Sequence, residues 1–192
     1  MNRFPVKVIR SRRKTISLQI TPEGQVLLRS PYGVSKEELQ RFVDEKRDWL
    51  NKNLQKVQQR QQEASHAGSL SLEEIRALAD RAKDVIPQRV AHFAPLVGVT
   101  YGRITIRNQR TRWGSCSGKG NLNFNCLLML APPEVLDYVV VHELCHRKEM
   151  NHSPRFWAEV ARVLPDYQQR RRWLKEHGGA LVQRMEKGFA AQ

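Results

Sequence analysis

The 192-residue sequence has few cysteines and no long apolar run. No apolar stretch approaches the roughly 20 residues that cross a bilayer, so a membrane-spanning protein is excluded. The first residues lack the apolar stretch of about 7–15 residues found in a secretory signal. The three cysteines are dispersed and odd in number, which argues against a disulfide framework. These absences predict a cytoplasmic protein with no membrane partner.

Acidic residues are also scarce. The 19 aspartates and glutamates face 33 lysines and arginines, which gives a net charge of +14 and a pI near 10.3. Such an excess favours polyanions, among them nucleic acid and phosphorylated substrates, although it is equally consistent with solubility alone. We therefore expect nucleic acid or another polyanion as one possible partner of the basic surface.

The most informative motif is His142-Glu143-Leu144-Cys145-His146, which His152 follows six residues later. A helix turns by about 100° per residue, so the first two histidines lie on one face and can bind one metal ion. A third imidazole leaves the fourth tetrahedral position open, which is typical of catalytic rather than structural zinc. Glu143 is placed to take a proton from a metal-activated water. The motif thus predicts Zn²⁺ as cofactor.

The third metal ligand has alternatives. His152 is favoured, but Glu159 on the following helix is a candidate, whereas Glu149 is expected to point away from the two helical histidines. Cys145 is expected to fill apolar space rather than to bind the metal. The alternative without a metal is an amphipathic helix whose two histidines face the core and form hydrogen bonds.

The hydrophobic pattern predicts short strands at both ends of a helical segment. Residues 6–10, 15–20 and 25–29 predict an antiparallel meander, because apolar residues alternate and a Pro-Glu-Gly turn intervenes. Capping boxes and helical spacing predict helices at 35–62 and 71–93. Later elements are predicted as strands 103–107 and 121–124 around a loop at 109–120, and helices 132–150, 153–164 and 166–177, the last stopped by Gly178-Gly179.

These elements suggest four segments. Residues 1–33 form the meander, 34–95 a helical segment, 96–179 the metal-binding catalytic core, and 180–192 a loosely held tail. We expect them to form one integrated domain of the α+β class.

Several motifs together resemble the YgjP-like metallopeptidase family, a bacterial branch of small zincins related to the WLM and SprT-like proteases. They are RTRWGSCS at 110–117, NLNFN at 121–125, PPEVLDYVVVHELCH and NHSPRFW, and the N-terminal RSRRKTISLQITPEGQVLLRSP is similar as well. The resemblance covers essentially the whole chain. It implies a minimal zincin-like core, in which a short antiparallel sheet lies over the active-site helix. It also implies His142, His146 and His152 as zinc ligands and Glu143 as general base.

The leading functional hypothesis is a zinc-dependent hydrolase of the metallopeptidase type, acting on a peptide or protein. Members of this family have also been assigned a phosphohydrolase activity on the nucleotide UTP, and Arg110 and Arg112 could hold either a carboxylate or a phosphate. Two further alternatives are a protease recruited to DNA by the basic surface and a non-catalytic, zinc-stabilised nucleic-acid-binding module. Comparing wild type with Glu143→Gln on peptides and nucleotides separates these hypotheses.

Overall fold

The computed structural model describes residues 5–66 and 68–190, and the chain divides into two compact units, Met1–His66 and Ala67–Gln192. The described residues contain two three-stranded sheets and six α-helices, which confirms the α+β class. None of the helices in these ranges combines the length and apolar character needed to cross a membrane.

The sheet of the first unit consists of β1 (Val6–Ser11), β2 (Ser17–Ile20) and β3 (Val26–Pro31). Its order is β1-β3-β2, with β1 parallel and β2 antiparallel to β3, so the predicted antiparallel meander is wrong. Val26, Leu28 and Ser30 are buried, which makes β3 the most buried strand of the three. Because β3 lies between β1 and β2, both of its edges are hydrogen-bonded and it is shielded from solvent.

The helices of the first unit are α1 (Lys36–Glu45) and α2 (Arg47–His66). Ser35 caps α1 as predicted, because its hydroxyl accepts a hydrogen bond from the Glu38 N–H. The single helix predicted for residues 35–62 is wrong, since Lys46 leaves the helical conformation (φ −97°, ψ 12°) and its N–H bonds to the Val43 carbonyl. This tighter i, i+3 bond ends α1 before α2 begins.

The second unit starts with α3 (Leu72–Val97), which begins at the predicted capping box of Ser71 and Glu74. It continues four residues beyond the predicted end at residue 93, because Ala94 and Val97 still face the core. The helix ends at Gly98, whose φ of 80° is a left-handed conformation that glycine adopts without strain.

The second sheet contains β4 (Ile104–Arg107), β5 (Gly114–Cys116) and β6 (Leu122–Asn125), in the order β4-β6-β5. β4 and β6 pair as predicted, but in parallel, whereas β5 is antiparallel to β6. The sheet is therefore mixed rather than antiparallel, and the predicted loop at 109–120 contains a strand. Because the connecting chain forms β5 on the far edge of β6, β4 and β6 run in the same direction.

A 3₁₀ helix, Cys126–Leu130, leads into α4 (Pro133–Cys145), which is buried over most of its length. The helix ends five residues before the predicted residue 150. The next N–H groups, of Arg147 and Lys148, bond to carbonyls three residues back, which tightens the chain into a turn. This turn reverses the chain between α4 and α5 (Pro154–Val163), and Ser153 caps α5 as predicted.

The last helix, α6 (Tyr167–Ala190), passes through Gly178-Gly179, so the stop predicted there is wrong. Packing explains the difference. A Cβ atom on Gly178 would lie 2.8 Å from Cζ2 of Trp113, so this glycine lets the helix approach the indole closely. Ala180 and Met185 are buried further along α6, and this burial offsets the cost of about 1 kcal/mol for glycine inside a helix.

Candidate metal centre

Three imidazoles converge at the end of α4. The ring centroids of His142 and His146 are 5.0 Å apart, and that of His152 is 4.9 and 4.8 Å from them. One nitrogen from each ring lies within 4.8 Å of the other two, and the Nε2 atoms of His142 and His152 are 2.9 Å apart. In residues 5–66 and 68–190, this is the one group of three or more potential ligands that is close enough to hold a metal ion.

The donor set fits a divalent metal such as zinc. Two nitrogens bound to one tetrahedral Zn²⁺ are about 3.4 Å apart, which falls within the observed range. Imidazole binds metals as the neutral base. Burial, followed by the nearby His146 and His152, lowers the pKa of His142 to about 3, and burial also lowers the pKa of His146. Burial therefore favours, at both His142 and His146, the neutral form that binds a metal.

Each of the three rings is held by a different partner. The Tyr138 hydroxyl lies 3.5 Å from Nδ1 of His142. Nδ1 of His146 lies 3.1 Å from the Glu149 carbonyl, and because a carbonyl only accepts, this nitrogen donates and leaves Nε2 free to bind a metal. His152 stacks instead on Trp157, with ring centroids 5.7 Å apart and planes 25° apart.

The ring of Phe156 contacts the imidazole rings of all three histidines. It is fully buried, and its centroid lies 4.8, 4.6 and 4.8 Å from those of His142, His146 and His152. Each contact is within the range of aromatic pairs that pack favourably. This single side chain of α5 therefore supports the whole histidine cluster.

Glu143 directly follows His142 in α4 and is only 5% exposed. Within the described residues its carboxylate has no hydrogen bond or ion pair. Burial raises its pKa to about 8, and the charge of Arg112 partly opposes this shift. A nearly buried carboxylate with a raised pKa is typical of a group that acts on a ligand or in a reaction.

Gly114 makes room for that carboxylate. A Cβ atom at this position would lie 2.7 Å from Oε1 of Glu143 and 2.9 Å from its carboxyl carbon. No real Cβ contact is that short, so any larger residue would displace Glu143. The glycine of the RWGSC segment thus shapes the space in which the carboxylate lies.

The asparagines of β6 hold this segment in place. The Asn123 side chain donates to the Ser115 hydroxyl (3.1 Å), and that of the buried Asn125 donates to the carbonyls of Gln109 (2.7 Å) and Arg112 (3.1 Å). These bonds satisfy polar groups around a short strand that would otherwise be a loop. They explain why asparagine recurs in NLNFN.

The family model described as YgjP-like, metallopeptidase domain, matches residues 14–79 and 69–177. These matches together span most of the chain. This protein belongs to the YgjP-like family.

Two solved structures are similar to part of this YgjP-like chain. They are the metallopeptidase zymogens abylysin of Pyrococcus abyssi (23% identity, 47% of this chain and 93% of that one, TM-score 0.44) and jannalysin of Methanocaldococcus jannaschii (23%, 47% and 91%, TM-score 0.41). Among curated proteins, none matches the chain.

The other candidates from the YgjP-like sequence lie outside the histidine cluster. Glu159, the alternative ligand, pairs with Lys148 (2.9 Å) and Arg162 (3.1 Å). Cys145 lies in the hydrophobic core, where burial raises its pKa to about 12. Arg112 is exposed, and its charge acts on Glu143, whereas Arg110 is exposed on the segment that leads to β5.

Sequence reasoning missed the role of three residues that bear on the site: Gly114, Trp157 and Arg171. Glycine in a strand signals a close backbone approach, and this signal was available at Gly114. No local pattern marks Trp157 or Arg171, because each reaches the histidines only through the packing of α5 and α6.

Proposed function

We propose that this protein is a zinc-dependent peptidase, with His142, His146 and His152 as ligands and Glu143 as general base. The observation that carries the proposal is the convergence of three imidazoles, one of which is directly followed in the chain by the nearly buried Glu143. A structural zinc site has four protein ligands, whereas this cluster offers three and leaves a position open for water or substrate.

The free edge of β5 supports a peptide as substrate. The residues that flank β5 bond to β6 and to the residue before it: the Trp113 carbonyl accepts from the Asn125 N–H, and the Ser117 N–H donates to the Asn121 carbonyl. Because backbone groups alternate along an antiparallel pair, the N–H and C=O of Gly114 and Cys116 point to the opposite edge. No strand among the described residues pairs with that edge, so an extended peptide can add to it next to Glu143.

The metal, Glu143 and Arg112 have different roles in the proposed reaction. When bound, zinc would lower the pKa of a coordinated water to about 7 and polarise the peptide carbonyl. Glu143 takes the proton of the attacking water on a carboxylate oxygen and passes it to the leaving amine nitrogen. Burial makes Glu143 a stronger proton acceptor, because it raises the pKa of the group to about 8, whereas the positive charge of a bound metal would favour the carboxylate form that must be present before the proton is taken. Arg112 limits that rise by favouring the carboxylate.

The test compares zinc-loaded wild type with Glu143→Gln on a panel of peptides and on UTP. We expect the wild type to cleave peptides, and the variant to retain stoichiometric zinc while kcat falls about 10²- to 10⁴-fold, the usual contribution of a general base. Glu134→Gln is the matched control, because Glu134 is exposed in the first turn of the same helix. Its kcat should stay within about twofold of wild type.

Two outcomes would contradict the proposal. Normal peptide hydrolysis by Glu143→Gln would remove Glu143 as the base. If instead the wild type hydrolyses UTP and no peptide, and Glu143→Gln abolishes that activity, the centre is a phosphohydrolase.

A further inference from the structure

Arg171 lies over an aromatic group that contacts the metal centre. Its guanidinium carbon is 4.4 Å from the centroid of the Trp157 ring, a cation–π distance. The same indole stacks on His152 and on Tyr167, with centroid distances of 5.7 and 5.4 Å. Arg171 is thus fixed one aromatic ring away from a proposed zinc ligand.

The guanidinium of Arg171 has no acceptor in the described part of the chain. Its neighbour Arg170 is fully engaged, since it donates to the Asp166 carboxylate (3.0 Å) and to the Glu134 carbonyl (3.2 Å). Arg171 is exposed and makes no ion pair or hydrogen bond with any residue described. The two adjacent arginines differ because one joins α6 to α4 while the other keeps its donors unused.

The aromatic group next to Arg171 contacts two of the proposed ligands. The Trp157 ring lies 5.8 Å from the ring of His142 and 5.7 Å from that of His152, measured between centroids. His142 belongs to α4, on which the proposed catalytic Glu143 also lies. The positive charge of Arg171 is therefore separated from these two histidines by a single indole.

We propose that Arg171 binds a carboxylate of the peptide substrate beside the metal centre, which makes it a specificity-determining residue. This inference rests on the proposed peptidase function. The contact with the Trp157 ring uses none of the N–H groups of the guanidinium as hydrogen-bond donors, so they are available for two parallel hydrogen bonds to a carboxylate. The carboxylate is supplied either by an acidic side chain or by the C-terminus of the peptide.

The experiment measures binding, so it does not depend on turnover. Zinc-loaded wild type, Arg171→Gln and Arg172→Gln are titrated by calorimetry with peptidyl hydroxamates, whose hydroxamate group ligates zinc. One pair of probes differs by glutamate against glutamine in the side chain, and a second by a free against an amidated C-terminus. Arg172 is the matched control, because it is the next exposed arginine of α6 and its substitution changes the net charge equally.

We expect the wild type and Arg172→Gln to bind the carboxylate member of one pair about 10- to 100-fold more tightly than its neutral counterpart, and Arg171→Gln to lose that preference. The pair that responds identifies the source of the carboxylate. An equal preference in wild type and Arg171→Gln overturns the inference while leaving the peptidase function intact. Weaker UTP binding in Arg171→Gln, with neither pair affected, also overturns it and assigns the arginine to phosphate. If zinc-loaded wild type binds no hydroxamate at all, the proposed zinc site, and with it the proposed peptidase function, is wrong.

Discussion

His142 lies in α4, which is buried over most of its length, and His146 is the residue that caps the C-terminus of this helix, whereas His152 is exposed on the turn that follows. The helical pair is spaced by the backbone of α4, and its Nδ1 atoms face Tyr138 and Glu149 of the same stretch of chain. His152 makes ring contacts with Phe156 and Trp157 of α5. The polar contact described for its side chain is the one with His142.

The difference indicates that one centre is assembled by two kinds of structure. Local helix geometry fixes two of its ligands, and the packing of α5 and α6 fixes the third. Substitutions of the ligands that the helix positions should abolish zinc binding, whereas substitutions in the part that α5 and α6 position should only weaken it.

Removing a ligand should have the largest effect. We expect His142→Ala and His146→Ala to lower zinc affinity by more than about 100-fold, because even partners behind a ligand contribute 10- to 100-fold. His152→Ala should also lose affinity, but less than either helical variant. Zinc content in metal-buffered solutions measures all three.

Glu159→Ala is the control for this series, since Glu159 pairs with Lys148 and Arg162. It should bind zinc as the wild type does. Stoichiometric zinc in His152→Ala together with zinc loss in Glu159→Ala would assign the third ligand to α5 instead.

Gly114→Ala should lower activity by about 100-fold, because its Cβ would lie 2.7 Å from the Glu143 carboxylate and displacements of this kind are costly in catalysis. Zinc content should stay at the wild-type level, since Gly114 contacts the base and not the ligands. Gly118→Ala is the control, because nothing lies within 4 Å of a Cβ there. Equal kcat values for the two variants would show that the position of Glu143 does not limit turnover.

Trp157→Leu tests the exposed half of the centre. Without the indole, His152 loses its stacking partner, so we expect zinc affinity to fall about 10-fold, as for other residues that orient a ligand. Trp49→Leu is the control, since Trp49 is exposed on α2 and its loss should leave affinity unchanged. Unchanged affinity in Trp157→Leu would mean that Phe156 alone orients His152.

The smallest effect should come from removing the ion pair that joins α4 to α3. Arg89 of α3 forms a two-bond ion pair with Asp137 of α4 (2.6 and 2.8 Å). Asp137→Asn should reduce the free energy of unfolding by about 1 kcal/mol without changing zinc affinity. Thermal unfolding measures this effect, with Asp80→Asn, which breaks an exposed pair with Lys83, as the control that leaves Tm unchanged. A loss of zinc in Asp137→Asn would show that the helical half depends on this anchor.

Short-range signals predicted the parts of the fold that depend on neighbouring residues. The caps at Ser35, Ser71 and Ser153 lie where the sequence indicated, because a cap needs only a hydroxyl and an N–H three residues away. The helix that carries His142 and ends next to His146 was predicted from other local signals, a proline in its first turn and the apolar run that follows. Its end at Cys145 was not, since the turn depends on where the rest of the chain packs.

The sequence by itself determined the chemistry available here: two histidines at the spacing of one helix face with a glutamate between them, a third histidine nearby, and the motifs of the YgjP-like family. Only the tertiary structure decided the β1-β3-β2 strand order, the existence of β5, the approach of Gly114 to Glu143, and the stack of Arg171 on Trp157. The physical reason is the distance along the chain over which each kind of interaction acts. Helix periodicity and capping act within a few residues, whereas these contacts join residues far apart in the chain, whose pairing depends on which surfaces the core buries.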